Sequence, residues 1–242
     1  MRAAIVTGVS RGLGEALARV LLERGFAVLG VGRSASSALQ NERLRFVACD
    51  LAQVSAIDSA VAAAFEGLKR EAPESVTLIN NAAVAWPAGV IGRIDTADAQ
   101  VALATNVAAP LALCNAFLRA FDDDAIARRI INISSGAAHS ALPGSAVYSM
   151  SKAALEMLTK SIAAEHSAPN FRCVTLRPGI FDTDMQTYMR SLDPAVCPSV
   201  ALFRGFKQNA MLKAPPDVAA AIVRRLVEAD VEHGRTYSHT DL

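Results

Sequence analysis

Apolar positions along the chain fall into two alternating patterns. Runs of four to six residues at 3–7, 27–31, 44–49, 76–80, 129–134 and 173–176 are rich in Val, Ile, Leu and Ala, and several are unbroken by polar residues. Continuous hydrophobicity over that length predicts strands buried on both faces. Longer segments at 13–23, 54–69, 97–121 and 147–165 repeat their apolar positions every three or four residues, which predicts amphipathic helices. A last helix is expected at 217–228, opened by Pro215-Pro216, and a last short strand at 235–238. Strand and helix in strict alternation predict a parallel sheet covered on both faces, a doubly wound α/β fold of Rossmann type forming a three-layer sandwich. No period of 20–50 residues, low-complexity tract or linker divides the chain, so a single domain over 1–242 is expected. Residues 180–214 break the alternation. Met185, Met189, Phe203, Phe206 and Met211 recur there without one period, after a strand's carboxyl end, where ligands sit in open α/β sheets. The segment reads either as a substrate lid or as a helical pair packed on the domain or on a second subunit.

Composition narrows the function classes. Over 242 residues, 24 basic and 23 acidic side chains leave a net charge of +1, which predicts no nucleic-acid or anionic-membrane partner. The apolar share of 52% is ample for a core and argues against disorder. Cys49, Cys114, Cys173 and Cys197 lie far apart, without Cys-x-x-Cys spacing, and the four histidines show no ligand spacing, so neither a structural nor a catalytic metal is expected. With no charged leader and no run of eighteen apolar residues, the expected setting is cytoplasmic.

The segment Thr7-Gly-Val-Ser-Arg-Gly-Leu-Gly14 follows the first strand and opens the first helix. Glycines at 8, 12 and 14 allow a tight turn, a close backbone approach to a pyrophosphate and close helix–sheet packing, while the helix amino end supplies N–H donors and a positive dipole. Strand before and helix after make this a dinucleotide site, with Gly8, Ser10, Arg11, Gly12, Leu13 and Gly14 as its first contacts. Where an NAD site would place a carboxylate, the second strand ends in Val31-Gly-Arg33. Arg33 and Arg11 suit a 2′-phosphate, which guanidinium binds bidentately, so NADP is expected over NAD; the alternative is two solvated arginines. Ser10 also sits in a Gly-x-Ser-x-Gly string, but its place in the glycine loop makes a hydrolase reading incidental.

Four features then stand in order: the glycine loop, Asn80-Asn-Ala-Ala83, Asn132-Ile-Ser-Ser135 and Tyr148-x-x-x-Lys152. Together they resemble the short-chain dehydrogenase/reductase family in its single-domain form, over nearly the whole chain. Asp50-Leu51 resembles the family's adenine-contacting pair, Asn81 would border the cofactor, and Arg177-Pro-Gly179, Phe181 and Thr183 match the segment at the nicotinamide end. Asp182-Thr-Asp-Met-Gln186, Asp193-Pro194 and the 217–228 helix resemble sepiapterin reductases and bacterial benzil (diketone) reductases. There are two departures. Ala83 replaces the family's glycine, and Ser238 stands where sepiapterin reductases hold the pterin with an aspartate, although Asp241 is near.

The resemblance implies an NADPH-dependent reduction of a ketone or diketone. Tyr148 would be the general acid, Ser135, thirteen residues earlier, would polarise the carbonyl, Lys152 would tune the tyrosine and bind the nicotinamide ribose, and Asn106 would hold a water. The neighbouring ammonium is expected to favour phenolate at Tyr148, whose free pKa is about 10. Plainer roles stand beside these: Ser135 as a cap at its strand's end, and Asn106 as the cause of a helix kink, its side chain bonded to backbone. Sepiapterin or 3-oxoacyl reductase-like activity is the alternative chemistry, and a non-catalytic NADP-binding sensor or scaffold is the alternative class. Family members associate through their long helices, so a homodimer or homotetramer is expected.

Overall fold

A computed structural model describes residues 1–242. Its seven strands are β1 (Arg2–Thr7), β2 (Ala27–Gly32), β3 (Leu44–Ala48), β4 (Ser75–Asn80), β5 (Ala127–Ile133), β6 (Phe171–Arg177) and β7 (Thr236–Ser238). They form one sheet in the order β3-β2-β1-β4-β5-β6-β7, every pair parallel. The order reverses direction between β1 and β4, the switch point where open α/β sheets bind ligands. β1 and β2 are buried along almost their whole length, as their continuous apolar runs require.

Helices cover both faces. On one, α1 (Gly12–Glu23) and α8 (Pro215–Ile222) bring Leu17, Leu21, Val218 and Ile222 onto Val6, Val28, Ile131 and Val174. On the other, α2 (Ile57–Arg70), α4 (Ala109–Ala120) and α5 (Ala146–Glu165) pack Phe65, Phe117 and Ile162 on Ile5, Leu78 and Ile130. Each fully buried Phe or Leu is worth about 1.5–3 kcal/mol, so these two layers account for most of the favourable burial.

The expected helix at 97–121 is two helices, α3 (Thr96–Leu103) and α4, joined by a π turn at Ala104–Ala108. Taken together, Thr96–Ala120 is long and apolar enough by composition to cross a membrane, but Leu113, Cys114 and Phe117 spend that apolarity on the core. The expected helix at 217–228 likewise ends in a π turn, Val223–Val227. There the Arg129 guanidinium donates to the carbonyls of Val227 at 2.7 Å and Ala229 at 3.0 Å, satisfying acceptors that a helix end leaves open.

Residues 180–214 are more ordered than their irregular pattern suggests. They hold α6 (Asp184–Ser191) and α7 (Val200–Gln208), a helical pair over the carboxyl end of the sheet. The pair has its own small core, in which Met189, Cys197 and Phe203 pack with Ala85, and Tyr148, Met185 and Phe206 close against them. The period was hard to read because two helices of eight and nine residues are split by a turn that also buries Cys197.

Candidate active site

The glycine loop is shaped by contacts that only glycine permits. Gly8 has φ +75°, and a Cβ there would stand 3.1 Å from Ala82. A Cβ on Gly14 would lie 2.1 Å from the Gly8 carbonyl oxygen and 2.6 Å from the Asn81 amide nitrogen, so the helix could not approach as it does. Arg11 precedes α1 in extended conformation and no side chain caps the helix, which leaves its first N–H groups open. An uncapped amino terminus with glycine-walled access fits a pyrophosphate. Leu13 is buried in the core and contributes its backbone alone. Thr7 ties the β1 end to the β4 end: its hydroxyl accepts from the N–H groups of Asn81 and Ala82, both at 2.9 Å, and its carbonyl accepts from the Asn81 amide at 2.9 Å. Asn81 therefore holds the end of β1 that leads into the glycine loop.

The adenosine end shows two differences from expectation. Leu51 is buried in the core, and of the pair only Asp50 is exposed. Arg33 is exposed without an ion pair, but Arg11 pairs with Asp184 of α6 at 3.1 Å, both side chains about 70% exposed. Gly32 would carry a Cβ no closer than 3.7 Å to the Gly8 amide nitrogen, so a wider side chain is not excluded by space. What Gly32 lacks is a carboxylate.

At the other end, Ser135, Tyr148 and Lys152 converge. Ser135 closes β5 and caps the short turn Gly136–Ala138, accepting from the Ala137 N–H at 3.2 Å, so the capping role is real. Its hydroxyl lies on the same side as the Tyr148 phenol and favours the ionised form of that group. Ser134 alternates to the other side and is buried against Glu156, which separates the two serines' roles by strand geometry alone. Tyr148 lies in the first turn of α5, and the Lys152 ammonium sits 5.6 Å from its ring centre while donating to the Ile133 carbonyl at 2.8 Å.

The electrostatics of that pair differ from expectation. Burial pushes the Tyr148 phenol above its ordinary pKa, with the neighbouring Ser135 hydroxyl pulling only partly back. Lys152 is itself 2% exposed, and burial brings its pKa down to about 8. Desolvation dominates at Lys152 because its ammonium is directed at a backbone carbonyl and meets no carboxylate.

Asn106 is fully buried in the π turn. Its amide accepts from the Val84 N–H at 2.9 Å, donates to the Val84 carbonyl at 2.8 Å and reaches the Ser151 hydroxyl at 3.2 Å. The plainer expectation thus describes its contacts: it fastens the loop after β4 to the helix and to α5. Beyond β6, Gly179 takes φ +82° with His239 close against it, Phe181 bridges to Lys213, and Thr183 starts α6 with its methyl beside Gly12. Pro178 and Thr183 thereby lead from the β6 end back to the glycine loop. Asp241 is engaged by the Ser238 N–H at 2.7 Å and by Arg235 at 3.0 Å, so it closes its own turn.

One group had no sequence signal strong enough to find it. Glu156, one helical turn after Lys152, is buried and accepts from Ser134, Arg177 and His139. Only the spacing of four residues from Lys152 hinted that it faces inward.

The profile of the short chain dehydrogenase family matches residues 2–193. A benzil reductase ((S)-benzoin forming) of Bacillus cereus is 30% identical over 95% of both chains. A sepiapterin reductase of Meriones unguiculatus is 35% identical over 78% of this chain and 79% of its own. A short chain dehydrogenase/reductase structure from Saccharomyces cerevisiae superposes with a TM-score of 0.85 at 26% identity, covering 99% of this chain and 96% of that one. With the profile spanning most of the residues and both relatives aligned along the same fold, the chain belongs to the short chain dehydrogenase family.

Proposed function

We propose that the protein is an NADPH-dependent reductase of ketones or α-diketones. The single observation that carries this is the meeting of Ser135, Tyr148 and Lys152 at the sheet's carboxyl edge, beside an uncapped glycine-rich helix terminus. A dinucleotide held at the open amino end of α1 would supply the hydride. Ser135, its lone pair engaged by Ala137, presents its hydroxyl proton to the substrate carbonyl. Tyr148 donates the phenolic proton to the oxygen as it becomes an alkoxide, and a phenol held protonated by burial is suited to that direction. Lys152 then faces a phenolate, and its charge, costly alone in that setting, gains a partner. Asn106 holds the β4 loop and α5 in register around them.

The substrate class rests on the lid reading of 180–214. Met185, Tyr188, Met189, Phe203 and Phe206 give the mouth an apolar, aromatic-tolerant wall, and relatives that reduce benzil have such a substrate. A pterin is less well served, because Asp241 is occupied by Ser238 and Arg235. Preference for NADP rests on unpaired Arg33 and on Arg11, whose exposed bridge to Asp184 is worth about 0–1 kcal/mol and is cheaply exchanged for a phosphate. Four buried, unpaired cysteines support a reducing compartment. Tyr148→Phe tests the reading: reduction of an aryl diketone should fall at least 1,000-fold with NADPH affinity retained, whereas a variant with ordinary turnover rules it out.

A further inference from the structure

Glu156 is 5% exposed, and its carboxylate joins three segments of the chain. Oε1 accepts from the Ser134 hydroxyl at 2.8 Å and from Arg177 Nε at 2.8 Å, while Oε2 accepts from Arg177 Nη2 at 2.9 Å and meets His139 Nε2 at 2.7 Å. These contacts outweigh burial, which by itself would raise the carboxyl, and hold its pKa at about 2. Two of these partners adjoin the proposed site, since Ser134 precedes Ser135 and Arg177 precedes the Pro178–Gly179 turn, and Lys152 lies one turn before Glu156 on the same helix. Glu156 touches none of the three reacting side chains.

We propose that Glu156 is a positioning residue of the reduction site, tying Arg177 and the Pro178–Gly179 turn to Ser134 and Ser135. This rests on the carbonyl-reductase reading. The pair joins a nearly enclosed carboxylate to a guanidinium that is 29% exposed, so attraction alone does not explain why it is there. What a bidentate guanidinium–carboxylate pair adds is orientation, because two parallel bonds leave neither partner free to rotate. The orientation set here is that of the β6 end relative to the β5 end, the two walls between which the nicotinamide and the carbonyl would have to align. Small misplacement of such walls is expressed in turnover well before it is expressed in folding.

The test compares Glu156→Gln, Arg177→Met and the double variant. NADPH affinity is read by fluorescence titration, kcat by diketone reduction, and Tm by calorimetry, with kinetics taken well below each Tm. Each single variant should lower kcat or weaken NADPH binding at least tenfold, and the double variant should be no worse than the poorer single one, because both remove the same link. If folded variants keep kcat and NADPH affinity within twofold while Tm falls, or if the two losses multiply, the proposal is overturned. Arg177 is the more exposed partner, so Arg177→Met alone decides the matter should Glu156→Gln fail to fold. Wild-type protein that binds NADPH but reduces no carbonyl would defeat the reductase reading, and the affinity arm would still report on Glu156.

Discussion

Lys152 shows how a single residue's chemistry is set by what surrounds it. Its ammonium is buried, is bonded to the Ile133 carbonyl, and has a pKa brought down to about 8 by desolvation. In the proposed mechanism it carries, below that value, the charge that stabilises the Tyr148 phenolate after proton donation, and above it the charge is gone. Tyr148, raised by burial, stays protonated throughout the same range. The kcat/KM for reduction should therefore be level near neutrality and fall with the loss of one proton above about pH 8, which a pH–rate profile checks. The same shift bears on stability. A lysine with a depressed folded pKa costs stability below about pH 8, and that cost is relieved as pH rises towards 10.5. Glu156 works in the opposite range: its depressed pKa stabilises the fold above 4.5, and the contribution is lost as pH falls towards 2.

At the scale of elements, close approach decides which glycines matter. α1 reaches the β1 end because Gly14 lies against the Gly8 carbonyl, and a methyl there would overlap it at 2.1 Å. Gly14→Ala should cost about 1–3 kcal/mol in chemical denaturation and abolish nucleotide binding together with it. Gly205, inside α7, would meet nothing within 4 Å on gaining a Cβ. Gly205→Ala should stabilise by up to about 1 kcal/mol through helix propensity. The π turn at Ala104–Ala108 is the other element-scale feature. It follows from Asn106, whose side chain takes both backbone groups of Val84 and turns an ordinary helix into a clamp on the β4 loop.

For the whole molecule, the uncovered surfaces concern assembly. Leu111 on α4 and Met150 and Met157 on α5 are exposed, 46–59% each, on the outer side of a layer whose inner side is packed on the sheet. Apolar groups grouped on one outer layer suit a second copy of the chain. The expected association through long helices then predicts that Leu111→Glu with Met157→Glu lowers the mass seen by light scattering to that of one chain, with the circular dichroism spectrum kept. An unchanged mass would place the contact elsewhere.

The strands, the glycine loop and the grouping of Ser135, Tyr148 and Lys152 were legible in the sequence. Apolar runs report burial directly, and fixed spacings on one helix or strand end report which side chains share a face. The order of α6 and α7 was not legible, because short helices with a shared small core leave no long period. Asn106's partners and the Glu156–Arg177 link were not legible either, since they join residues 21 to 45 positions apart. The sequence by itself determined the class of fold and singled out the side chains proposed to carry the chemistry. Only the tertiary structure decided their charge states and the partners that hold them, because desolvation and long-range hydrogen bonds exist only once distant segments are packed together.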